Sequence, residues 1–178
     1  MLKKSTTKKA NQVVFSRKRN ASTYQNLMLN NTPLTTVSSQ KHLGLYLDSR
    51  LNFNDHLKYI TPKVNQGIGM LRRLYRFVPR SALITIYKSS IRPNLDYADL
   101  IYDQPSNSTF VGKLESLQYQ AALAITGAIK GSSREKIYNE LGLESLSDRR
   151  WFRKLLVFYK IQKEKSPKYL FDLIPKKT

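Results

Sequence analysis

The chain has 178 residues, with 31 lysines and arginines against 12 acids, two histidines and no cysteine, for a net charge of +19. The absence of cysteine excludes disulfides, thiolate chemistry and cysteine-based zinc sites, and His42 and His56 are too few imidazoles for a structural zinc centre. No run of about 18 apolar residues offers a membrane span, and no apolar stretch of signal-peptide type follows the N-terminal lysines.

The charge is segmental. Residues 1–92 carry a net +15, residues 93–148 a net −4 and residues 149–178 a net +8. Such a pattern lets the two ends hold a polyanion while the middle turns elsewhere. A soluble basic protein with solvated lysines is the plain alternative. Apolar content is enough for a core, and 178 residues make one domain or two small subdomains.

Residues 1–10 are polar, basic and aperiodic. Gln12-Val13-Val14-Phe15-Ser16 then reads as a strand with a basic exit, Arg17-Lys18-Arg19. Asn30-Asn31-Thr32-Pro33 is a turn signal between the short runs Leu27–Leu29 and Leu34–Val37. Leu43, Leu45 and Leu47 alternate as in a half-buried strand. Three or four such strands are a small set for an independent sheet, so the chain is expected to be a piece of something larger.

A long amphipathic helix follows. Asn52 or Asn54 is its candidate cap and Asp55 its first-turn acid. Leu57, Ile60, Val64, Gly67, Leu71, Leu74 and Val78 recur at three and four, which gathers them on one face. Arg72, Arg73 and Arg76 project opposite that face at ~100° per residue. Gly67 and Gly69 each cost a helix ~1 kcal/mol relative to alanine, so something approaches the backbone there, either a neighbouring helix or a phosphate backbone.

A second helix starts near Pro79, with Leu83, Ile86, Tyr87 and Ile91 as its apolar side and Lys88 and Arg92 as its basic side. Pro93 is expected to end or kink it. After the linker 104–108, Phe110, Leu114, Leu117, Ala121 and Ala124 or Ile125 mark a third helix, stopped at Lys130-Gly131. Ser132, three residues before Glu135, opens a short helix with Ile137, Tyr138 and Leu141, closed by Gly142. Ser145 to Asp148 repeats the start signal. The helix it opens carries Trp151, Phe152, Leu155, Leu156, Phe158 and Tyr159 as a broad apolar face, expected to lie in the core, beside Arg149, Arg150, Arg153 and Lys154. A last short helix spans Pro167 to Ile174. No nucleophile with a histidine base, no P-loop and no dinucleotide glycine pattern occurs.

The stretch from Lys41 to Val78 resembles the palm-to-thumb passage of reverse transcriptases from non-LTR (LINE-type, jockey-like) retrotransposons. Lys41, Leu43, Gly44, Leu45, Asp48, Leu51, Phe53 and His56 fill the places of that pattern, and the similarity continues to Pro175. The resemblance implies an α+β fold: a small antiparallel β remnant of a polymerase palm (1–52), thumb helices (53–130) and post-thumb helices (131–178). It implies that Lys41–Leu47 is a primer grip and that the first thumb helices follow the template–primer duplex. Arg72, Arg73, Arg76, Lys88, Arg92, Arg149, Arg150 and Arg153 are then the candidate backbone contacts with Lys41. Lys9 matches a palm lysine proposed to protonate departing pyrophosphate or position the triphosphate; a charge on a frayed end is its plainer reading.

Polymerase chemistry needs carboxylates holding two Mg²⁺ ions, expected for the intact enzyme. No acid precedes Asp48, so this stretch is expected to be inactive alone and to work with the rest of the palm and fingers. Tyr97-Ala98-Asp99 is not the family's Tyr-Ala-Asp-Asp hairpin, because Leu100 follows and the stretch comes after the palm exit. Asp96, Asp99 and Asp103 read as solvated or arginine-paired. The implied setting is an intracellular ribonucleoprotein, nuclear or cytoplasmic, off the membrane. Two other classes stay open: a stand-alone basic helical nucleic-acid-binding protein, and a helical module whose acidic middle docks a protein.

Overall fold

A computed structural model describes residues 10–16, 25–103 and 108–174. The fold is α+β and mainly helical. It divides into two compact units, residues 1–62 and 63–178.

In the first unit the strands are short: β1 (Asn11–Gln12), β2 (Met28–Leu29), β3 (Thr32–Pro33), β4 (Thr35–Thr36), β5 (Ser39–His42) and β6 (Leu45–Asp48). They pair two by two. β2 and β3 are antiparallel, as are β5 and β6, while β1 and β4 run parallel. The run Val13–Ser16 lies outside any strand. Buried Gln12 ties these pieces together, accepting from the Leu27 amide at 2.8 Å through its side chain and from the Val37 amide at 2.9 Å through its carbonyl.

The expected strand Leu43–Leu47 is in fact the second arm of a hairpin. His42 pairs with Leu45, leaving Leu43 and Gly44 as a two-residue turn. Both have positive φ, +45° and +87°, the geometry whose twist suits a tight hairpin. Leu43 therefore sits at the tip, 80% exposed, whereas Leu45 is buried. Asp48 organises the exit. Its carboxylate accepts from the amides of Arg50 and Asn52 at 3.1 and 3.0 Å and of Phe53 at 2.6 Å. That turn delivers the chain into α1 (Asn54–Leu74), whose Leu57 and Ile60 complete the unit's core with Leu45 and Phe53.

The second unit holds the rest of α1 and α2 (Arg80–Ile86), a π-helical turn (Tyr87–Ile91), α3 (Arg92–Asp96), α4 (Asp99–Tyr102), α5 (Ser108–Thr126), α6 (Arg134–Leu141), α7 (Leu146–Gln162) and α8 (Lys168–Phe171). α5 buries Phe110, Leu114, Leu117, Ala121, Ala122 and Ile125. So broad an apolar surface suits a helix surrounded by others.

Pro93 does not end the helix it follows. The π turn shifts the hydrogen-bond pattern, the Arg92 amide reaching back to the Tyr87 carbonyl, and Pro93 becomes an early residue of α3, where its missing N–H costs little. Gly67 faces a helix rather than a ligand: a Cβ there would lie 2.6 Å from Ile91 Cγ1, while Gly69 has open space. α5 stops four residues before the expected Lys130-Gly131, at Gly127, whose φ of +72° and closeness to the Tyr75 ring disfavour a side chain. The cap of α6 is Ser133 rather than Ser132, whereas Ser145 caps α7 as expected, accepting from the Asp148 amide at 3.0 Å.

Candidate nucleic-acid interface

In the first unit, Lys41 stands on β5 opposite Tyr46. Its ammonium donates to the Tyr59 hydroxyl at 2.8 Å and lies 4.3 Å from that ring's centroid and 5.9 Å from that of Tyr46. The hydrogen bond to Tyr59 raises the lysine's pKa, so the charge is held at any physiological pH. The result is an exposed cation on an aromatic seat, with β-strand and helix α1 supplying one ring each. The sequence alone does not mark the two tyrosines: Tyr46 is a cross-strand neighbour of Lys41 and Tyr59 lies in the second turn of the helix.

In the second unit, Arg72, Arg73 and Arg76 are exposed, as their helical phase requires, while Leu71 on the opposite side is fully buried. Among the described residues none of the three is recorded in an ion pair with an acid. Arg72 and Arg76 line an open groove of about 420 Å³ with Tyr75, the end of α5 and Lys130. Tyr75 lines it beside Gly127, its hydroxyl donating to the Thr126 carbonyl at 3.4 Å. Three cationic side chains thus converge on one concave surface. The sequence marks Lys130 only as a helix stop; its part in the groove depends on α5 ending early. Lys88 is exposed on the π turn, apart from the groove's lining.

The remaining arginines are placed differently. Arg149, Arg150, Arg153 and Lys154 occur at spacings of one, three and one, which puts them on one side of α7, and that side packs on the acids of α3 and α4. Arg149 and Arg153 both reach Asp96, at 2.8 and 2.7 Å, and Arg153 also reaches Asp99 at 2.5 Å. Lys154 and Arg150 meet Asp103 at 2.6 and 3.5 Å, and Arg92 approaches Asp96 at 3.7 Å. Arg150 is only 1% exposed and lies against the Tyr102 ring, 5.5 Å from its centroid. Burial disfavours the charge of Arg153, but hydrogen bonding to Asp96 and the two carboxylate charges outweigh it and raise its pKa.

The layer sets these candidates apart from those of α1: Arg150 is buried, and Arg92, Arg149 and Arg153 are paired with carboxylates of the same unit. Their partners Asp96, Asp99 and Asp103 are likewise occupied, whereas Glu135, Glu144 and Asp148 of the same negative stretch stay exposed. The signal was present in sequence: Asp96, Asp99 and Asp103 follow a three-and-four spacing that mirrors the basic side of α7. Lys9 lies outside the described residues. Among those described, no group of three or more histidines or acids is arranged to hold a metal ion, and no helix is long and apolar enough to cross a membrane.

Neither a protein-family profile nor a solved structure matches the chain. Two curated proteins do. The chain is 26% identical over 145 residues to "Probable RNA-directed DNA polymerase from transposon X-element" of Drosophila melanogaster, a match covering 79% of this chain and 15% of that protein. It is 24% identical over 131 residues to "Retrovirus-related Pol polyprotein from type-1 retrotransposable element R1" of Bradysia coprophila, covering 70% and 13%. The resemblance to non-LTR retrotransposon reverse transcriptases therefore extends over most of the chain, which spans about a seventh of these relatives' length.

Proposed function

We propose that this chain, a region similar to retrotransposon reverse transcriptases, supplies the duplex-holding surface of an RNA-directed DNA polymerase and grips the phosphate backbone of template and primer. The observation that carries this reading is the contrast between two sets of arginines. Those of α7 are neutralised inside the unit, whereas Arg72, Arg73 and Arg76 stand exposed beside a groove that Lys130 completes. Cations left unneutralised by neighbouring acids on a concave face suit phosphate oxygens, which position a duplex without reading its sequence. Lys41, seated on Tyr46 and Tyr59, supplies a second, separate contact at the strand that resembles a primer grip.

The chain alone is proposed to bind but not to polymerise. The carboxylates that would hold two Mg²⁺ ions in such an enzyme have no counterpart before Asp48, and Asp96, Asp99 and Asp103 are engaged with arginines and a lysine. Primer extension dependent on this chain's own residues would refute that half.

A salt titration of binding to an RNA–DNA hybrid tests the other half. Affinity should fall by orders of magnitude between about 50 and 200 mM salt if several phosphates are neutralised. Replacing Arg72, Arg73 and Arg76 together with alanine should lower the log–log slope by about three, one for each lost phosphate contact. Arg153→Ala, measured on the folded fraction, should leave the slope unchanged. A flat salt response, or a slope that drops with Arg153 and not with the triple variant, refutes the assignment.

A further inference from the structure

α7 is turned over relative to its sequence expectation. Its charged side faces inward, and Trp151, Phe152, Leu155, Leu156, Phe158 and Tyr159 are 42–66% exposed. α8 does not cover them and is itself open, with Tyr169 66% and Phe171 39% exposed.

These side chains fall within one arc of the helix at ~100° per residue. The same arc begins with exposed Asp148 and ends with exposed Lys163. Asp148, Phe152, Leu155, Tyr159 and Gln162 alternate steps of four and three, the period of a seam between two helices. The arc is also complementary to itself when reversed. Its midpoint lies between Leu155 and Leu156, so antiparallel pairing sets Asp148 of one copy against Lys163 of the other and Phe152 against Tyr159.

We propose that this face is the interface with a second copy of the chain, α7 lying antiparallel on α7 about a two-fold axis between Leu155 and Leu156. A two-fold interface requires a patch that complements itself, and this one does so in both charge and shape of sequence. Parallel pairing would set like charges together at both ends. The six side chains expose roughly 600 Å² in each copy and roughly 1,200 Å² over the pair, at the upper end of the patch a monomer leaves bare and at the lower bound of a specific interface. Single-stranded nucleic acid fits the face less well. The face has rings that could stack, but Asp148 stands in the arc and four basic groups of α7 are turned to the other side, away from any strand lying on it. The pairing stands independently of duplex binding.

Sedimentation of the full chain over roughly the micromolar range should show a monomer–dimer equilibrium. Leu155→Glu brings two carboxylates together at the axis and should weaken self-association about tenfold or more, with the helical circular dichroism kept, because Leu155 is already exposed in one copy. Lys163→Glu should weaken it through Asp148, and Asp148→Lys combined with Lys163→Glu should restore it. A chain that is monomeric throughout, or a dimer indifferent to Leu155→Glu, overturns the proposal. So does a monomer whose Trp151 fluorescence responds to a single-stranded oligonucleotide, which would assign the face to nucleic acid.

Discussion

Asp96 accepts from two guanidinium groups and lies near a third, at 14% side-chain exposure. Removing it leaves Arg149 and Arg153 half-buried with one fewer carboxylate between them. Losing one member of a buried charge set costs about 3–5 kcal/mol, and partial exposure here lowers the expectation to about 2–3 kcal/mol. Urea unfolding of Asp96→Ala should show that loss, whereas Arg73→Ala should stay within about 0.5 kcal/mol of the parent, as exposed substitutions do. Three tyrosines make the unit sensitive to base. Burial pushes the hydroxyls of Tyr87, Tyr102 and Tyr138 well above their ordinary value, and each donates within the core: to Gln118 at 2.6 Å, to the Leu95 carbonyl at 2.5 Å and to Glu115 at 2.8 Å. Their folded-state pKa lies above the unfolded value, so their contribution is fully present below about pH 10 and is lost as pH rises beyond it. Each can remove up to about 1.4 kcal/mol per pH unit there. Alkaline titration should show their phenolate absorbance appearing with loss of helical dichroism; ionisation before unfolding would contradict their placement.

The glycines of α1 separate two causes within one element. Alanine in place of glycine favours a helix by about 1 kcal/mol wherever space allows. Gly69 has that space, so Gly69→Ala should stabilise by up to about 1 kcal/mol. At Gly67 the new methyl would press on the 1%-exposed Ile91, and overpacking of about 1–3 kcal/mol should exceed the gain. Thermal melts of the two variants should therefore move in opposite directions. α7 shows how far an element can depart from its own hydrophobic pattern. A stripe of aromatic and aliphatic residues at helical period announces a helix and one coherent side, but not which side turns inward. Asp96 on α3, Asp99 on α4 and Asp103 just after it supplied the alternative partner, and α7 packs largely by its charged side.

At the scale of the whole chain, the units differ in what holds them. The first rests on backbone pairing, a buried glutamine and a small apolar core, the second on helix packing with an internal ionic layer. The salt titration and the sedimentation experiment address separate surfaces of the second unit, so one can fail without the other.

Much of this was legible in the residues themselves. The period of Leu57 to Leu71 predicts α1 and the outward phase of Arg72, Arg73 and Arg76, and glycine and serine punctuation marks α6 and the start of α7. These features are local, decided by backbone preference and by spacing along a single element. Tertiary structure alone decided that Leu43 is a turn residue, that Pro93 is absorbed by a π turn, that Lys130 joins Arg72 at a groove and that Arg150 is buried. Each depends on which distant group lies across the gap, and a side chain's charge or apolarity specifies what it can pair with, not which partner the packed chain brings to it.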